Sequence, residues 1–237
     1  MTAADAETLD LLERGELEPL GLLPRASNHT FLCRVREGER EILAVYKPRA
    51  GEAPLWDFPE GTLCRREVAA YVLADVLGWP RVPPTVLRDG PGGLGSVQRF
   101  LAFDPQQHYF TMLEERPDDF RRVALFDVVA NNADRKSGHC LLAEDGELFV
   151  VDHGVCFSVE DKLRTVIWDF VGEPVPPPML EDLRGLERRF ADDVAERLTP
   201  LLAPGEVDAT RERLAALVSL GRFPEPGPGR PYPWPVV

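Results

Sequence analysis

The segment 131–154 constrains the fold of this 237-residue chain more than any other. It reads Asn131-Asn132-Ala133-Asp134-Arg135-Lys136-Ser137-Gly138-His139, then apolar runs at 140–143 and 148–151, then Asp152-His153-Gly154. The polar Glu144-Asp145-Gly146-Glu147 between the runs predicts a β-hairpin. Hairpin strands are antiparallel, so the loop before the first strand and the residue after the second meet at the open end. Asp134 and Asp152, 18 residues apart, are therefore expected to be neighbours. Two carboxylates on one rigid rim can hold a divalent cation and orient a nucleophile.

The segments around this hairpin alternate by class. Residues 5–14 read as a short acidic helix, and residues 30–35 and 41–46 as a hairpin ending at Pro48. A Pro/Gly-rich loop follows over 48–61. Val68, Tyr71, Val72, Ala74 and Leu77 then form a helical stripe over 64–77, closed by Gly78. Residues 82–87 and 95–103 are expected strands, and Pro117-Asp118-Asp119 opens a helix with Pro and acids in its first turn. Beyond the breaker at 174–178 the pattern is helical at about 179–200 and 206–220, then Pro-rich from Phe223. Sheet-rich first half and helix-rich second half predict an α+β chain of two lobes, 1–103 and 104–237, with a cleft between them.

Composition excludes several classes. Net charge is -13, no basic run exceeds two residues, and no apolar run nears the roughly 18 residues that span a bilayer. Nucleic acid and an integral membrane segment are thus not expected partners. The acidic start lacks the order of a signal peptide, and Cys33, Cys64, Cys140 and Cys156 are scattered, so a reduced, cytoplasmic protein is expected. Of the 27 basic residues only Lys47, Lys136 and Lys162 are lysines.

A helix, an Asp-Arg loop, a hairpin and Asp-x-Gly follow one another in the order of kinase catalytic machinery. Upstream, Lys47 ends a strand where its ammonium can reach nucleotide phosphates, and Glu67 lies in the next helix where it can pair with that lysine. Ser27 and Asn28 sit in a small polar turn able to cover phosphate with backbone N–H groups. Gln98 and Phe100 lie on the strand placed to border adenine. On these residues, roughly 25–170, the chain resembles the phosphatidylinositol 3/4-kinase-related group, in an actinobacterial-type branch, and more distantly the HipA-like and secretory-kinase-like atypical kinases. The resemblance implies a two-lobed protein-kinase-like fold: an N-lobe antiparallel sheet with one helix, and a mainly helical C-lobe with a β-hairpin. It implies ATP with Mg²⁺ or Mn²⁺, and a hydroxyl-bearing acceptor. By it, Asp134 is the catalytic Asp, Lys47 and Glu67 the phosphate Lys and its partner, and Asp152 the metal Asp. The group's second metal ligand, Asn, stands five residues after the catalytic Asp; here that position is His139.

Three functions fit this reading. The first is a phosphotransferase acting on a protein or small-molecule hydroxyl, with a lipid disfavoured by the acidic chain. The second is a pseudokinase that binds nucleotide or acts as a scaffold. The third is a metal-dependent hydrolase built on Asp134, Asp152 and His139, which leaves Lys47 and Glu67 unexplained. His108 and His153 read as structural, and Arg65-Arg66, Arg121-Arg122 and Arg188-Arg189 as solvated helix faces.

Overall fold

A computed structural model describes residues 3–23 and 28–237. Ser27 lies outside the described residues. The expected first hairpin forms as β2 (Phe31–Glu37) and β3 (Arg40–Pro48). Before it stand α1 (Ala3–Arg14) and a strand absent from the sequence reading, β1 (Glu16–Leu22). Pro19 and Gly21 hid β1, because both weaken strand signals. The sheet order β1-β2-β3-β5-β4 explains why they are tolerated: β1 is an edge strand, and its register shifts between Pro19 and Gly21.

The next pair falls later in the first strand and ends earlier in the second than expected. It comprises β4 (Thr85–Gly90) and β5 (Gly93–Arg99), because Pro83 and Pro84 hold the chain out of the ladder and the turn falls at Pro91-Gly92. All pairings in the sheet are antiparallel. Gly95 opposes Pro48, and a Cβ there would stand 2.6 Å from the Lys47 carbonyl oxygen, so close approach of these strands requires glycine.

Helix α2 (Leu63–Leu77) ends at Gly78 in the left-handed region, as its sequence signals indicate. After the short α3 (Tyr109–Met112) comes α4 (Pro117–Ala130), with Pro117, Asp118 and Asp119 in its first turn and Asn131 as a left-handed cap. The second hairpin, β6 (Cys140–Leu142) and β7 (Leu148–Val150), pairs Cys140 with Val150, and its open end carries the two aspartate loops. The helix expected over 179–200 is divided into α5 (Pro177–Arg188), a π-helical turn (Phe190–Val194) and α6 (Ala195–Leu198); α7 (Pro204–Leu220) follows.

Among the described residues two main apolar cores form, beside two minor clusters at Phe58-Leu63-Ala133 and Leu101-Ala143-Phe149. A small one joins α1 to one sheet face through Leu12, Leu17, Val35, Tyr46 and Val97. A large one runs from α2 through α4 and the hairpin to α5 and α7, so α2 packs across the expected lobe division. Arg66 is not on a solvated face. It is fully buried, pairs with Glu206 of α7, donates to the Cys156 carbonyl at 2.7 Å and lies over the Phe58 ring. No helix among the described residues is long and apolar enough to cross a membrane.

Candidate active site

The cleft is built around Lys47, near the end of β3. Its Nζ pairs with Glu67 of α2 and, at 2.9 Å, with Asp152 Oδ1 after β7. Thus one ammonium joins the sheet, α2 and the C-terminal hairpin. Burial alone would lower the Lys47 pKa, but the Asp152 and Glu67 carboxylates outweigh it and raise it, so the group is a fixed cation. The other oxygen of Glu67 accepts the His153 backbone N–H at 3.0 Å, which ties α2 to the Asp-x-Gly turn.

Asp152 has φ 63, in the left-handed region, where Asp is tolerated and where strain often accompanies function. Its side chain remains 51% accessible at the cleft. The Lys47 charge holds its carboxyl far below the usual carboxylate range against the opposing effect of burial. Asp134 stands across the cleft, ion-paired with Lys136 at 3.0 Å. Burial raises its pKa, Lys136 opposes that shift, and Asp152 adds to it. A carboxylate with a raised pKa facing one held ionised is the arrangement that separates a proton acceptor from a cation holder.

His139 is half-buried, and desolvation pushes its pKa down to about 4, so the imidazole is neutral. The Lys136 N–H approaches Nδ1 at 3.4 Å, leaving the proton on Nε2, which faces Asp152 Oδ2 at 3.3 Å. In this tautomer the Nε2–H side of the ring lies beside the Asp152 carboxylate.

Lys47, Glu67, Asp134, Asp152 and Asn28 line a single cleft of about 180 Å³. The Asn28 side chain holds the Ala53 N–H at 2.7 Å. His139 reaches this group through Asp152. Gln98 and Phe100 do not join it. Gln98 is on the Lys47 face of the sheet by register, but it is buried with its amide donated to Thr85 Oγ1 at 2.9 Å. Phe100 is half-buried just beyond β5, its N–H bonded to Leu43. Cys64 on the cleft wall is pushed up to about 12, chiefly by burial, so it is a thiol and not a nucleophile.

Two supports escaped the sequence reading. Glu52 accepts the Leu63 and Cys64 N–H groups, capping α2 beside the cleft. Arg135, fully buried, forks onto Asp127 of α4 with both bonds at 2.9 Å, and also reaches the Val151 carbonyl and His153 Nε2. Asn132 adds a bond to Asp127. The loop bearing Asp134 is thereby fixed to α4 on one side and to the Asp152 turn on the other. The available signal was Asp127 itself, an acid on the apolar face of a helix.

A five-stranded antiparallel sheet, a helix carrying the lysine's partner, and a helical lobe with a catalytic-type hairpin define a two-lobed protein-kinase-like fold. The solved golgi casein kinase has the same fold, with TM-score 0.58 at 16% identity, covering 92% of this chain and 74% of that one. Protein Rv2133c of Mycobacterium tuberculosis (strain ATCC 25618 / H37Rv) is 40% identical over 270 aligned positions, 99% of this chain and 97% of that protein, and this chain belongs to its family. Phosphatidylinositol 4-kinase gamma 4 of Oryza sativa subsp. japonica is 32% identical over 140 positions, 50% of this chain but only 24% of the plant protein. No family model matches the chain.

Proposed function

We propose that the chain is an ATP-dependent phosphotransferase of the phosphatidylinositol 3/4-kinase-like class, moving the γ-phosphoryl group to a hydroxyl of a protein or small molecule. The observation that carries this reading is the bridge from Lys47 to both Glu67 and Asp152, with Asp134 across the cleft. The partial match to the rice phosphatidylinositol 4-kinase supports the class. Lys47 is positioned by its two carboxylates to meet nucleotide phosphates. Asp134, with its raised pKa, accepts the acceptor's hydroxyl proton. Asn28 belongs to the turn that covers the phosphates, Gln98 to the strand that borders adenine and Phe100 to the segment just after it.

The donors present suit Mg²⁺ or Mn²⁺. Asp152 supplies ionised oxygen, and His139 beside it joins as a second ligand only if its Nε2 proton moves. Among the described residues no three metal-ligating side chains are clustered, so a bound ion takes its remaining oxygens from phosphate and water. Such an ion supplies neutralisation of phosphate charge. The four free, buried cysteines support a reducing, cytoplasmic setting.

The test is ATP turnover with Mg²⁺ and with Mn²⁺ for wild type and Asp134→Asn. Turnover abolished by the substitution supports the reading, and absence of both turnover and ATP binding sinks it. A second reading, a nucleotide-binding pseudokinase, is favoured by the engagement of both Asp152 oxygens by Lys47 and His139. ATP binding without turnover under either metal selects it.

A further inference from the structure

A cavity of about 460 Å³ lies away from the cleft, between the end of α4, the segment 161–164, α7 and the Pro-rich tail. Its volume falls in the range of small-molecule sites. Its wall carries Lys162, Arg164, Arg213 and Arg230 against Asp161 and Glu225. A cation excess is unusual here, because the whole chain carries -13. The remainder of the lining includes Val128, Leu217, Leu220 and tail prolines.

Only Lys162 is neutralised by contact, pairing with Asp57 at 3.2 Å and Glu160 at 3.1 Å. The Arg213 guanidinium spends its bonds on neutral oxygens, those of Val129, Ser158 and Thr210. Burial pushes its pKa down to about 10 despite the more distant Asp161 charge. Arg230 lies over the Trp234 ring at 5.5 Å. Among the described residues, neither these two arginines nor Arg164 has a carboxylate within ion-pair distance. A partly desolvated guanidinium without a counter-ion is costly, and a bound oxyanion relieves that cost through its planar fork of donors.

Arg164 is also held rigidly by its backbone. Its N–H donates to the Asn132 carbonyl and its carbonyl accepts the Arg135 N–H, both at 2.9 Å. A side-chain substitution leaves these bonds intact. The lining thus brings cations and apolar surface together around one cavity.

We propose that this cavity is a second binding site, taking a small molecule that joins an apolar body to one oxyanion group, phosphate or carboxylate. The cavity shares no lining residue with the cleft, and the Arg164 charge is its one link to Asp134. Phenyl phosphate is the probe, with inorganic phosphate and benzyl alcohol as its separated halves, measured by calorimetry on the full chain. Phenyl phosphate is expected to bind at least about tenfold tighter than either half, and Arg164→Ala to weaken it about tenfold. Arg230→Ala is expected to weaken it to a smaller extent. Lys47→Ala is expected to leave its affinity unchanged, which separates this cavity from the cleft. Phenyl phosphate binding no tighter than inorganic phosphate, or loss on Lys47→Ala but not on Arg164→Ala, overturns the proposal.

Discussion

Lys47 is the residue on which the cleft depends. It is one of three lysines in a chain with 24 arginines, and its compact ammonium contacts two carboxylates from different elements. Lys47→Ala leaves Glu67 and Asp152 facing each other without their cation. We expect turnover to fall by two orders of magnitude or more, on the order of about 3 kcal/mol of transition-state stabilisation. Circular dichroism should retain the wild-type spectrum, because Lys47 lies at the cleft and outside both apolar cores. Full activity in this variant would show that the nucleotide cleft is assigned to the wrong place. His139 separates two roles proposed beside Asp152. With Nδ1 approached by the Lys136 N–H, the proton sits on Nε2 beside Asp152, so coordination of an ion would require that proton to leave. His139→Asn is therefore expected to keep the preference between Mg²⁺ and Mn²⁺ while turnover drops severalfold, as Asp152 loses the ring packed beside it. A shift from Mn²⁺ toward Mg²⁺, read from metal titrations of turnover, would instead make His139 a ligand.

At the scale of elements, the hairpin β6–β7 and helices α2 and α4 were legible because period, turn residues and caps agree within each segment. Apolar runs flank a Gly-containing turn, Gly78 closes one helix, and Pro117 opens the other. β1 was not legible, since its Pro and Gly are permitted only by the edge position that the rest of the sheet gives it. Arg66 was misread for a related reason. Sequence marks it as polar on a helix, but only the packed structure shows that α7 covers this face and supplies Glu206. The same holds for Arg135 and Asp127, which are eight residues apart and fully buried together. Burying one charge without its partner costs about 3–5 kcal/mol, whereas replacing both by apolar groups is often neutral. Arg66→Ala should thus lower the free energy of unfolding by about that amount in urea titrations. Arg66→Met combined with Glu206→Leu should recover most of the loss. If the double variant is as unstable as the single, the pair is not the source of the effect.

Across the whole molecule, the Pro-rich tail closes a circuit that begins at the Asp134 loop. Residues 164–166 run beside 132–135 with alternating backbone bonds, so the Asp134 loop rests on that segment. The tail in turn covers it. The Pro231 carbonyl accepts the Thr165 N–H at 3.0 Å and the Trp168 indole N–H at 3.2 Å, and the Val236 carbonyl accepts the Ser137 N–H at 2.9 Å. No sequence motif announces these contacts, because each proline contributes only a carbonyl acceptor and the partners are remote in the chain. Removing residues 230–237 leaves three donors to water and should cost about 1–3 kcal/mol of stability, at about 1 kcal/mol per hydrogen bond. The loss should be local. Amide exchange at Ser137 and Thr165 is expected to quicken about tenfold or more, while the β2–β3 ladder exchanges as before, because the tail is not part of that sheet. Turnover should fall with it, since Asp134 would no longer rest on a fixed segment. Unchanged exchange at Ser137 in the shortened chain would show that the loop is held by Arg135 and Asp127 alone and that the tail merely rests on it.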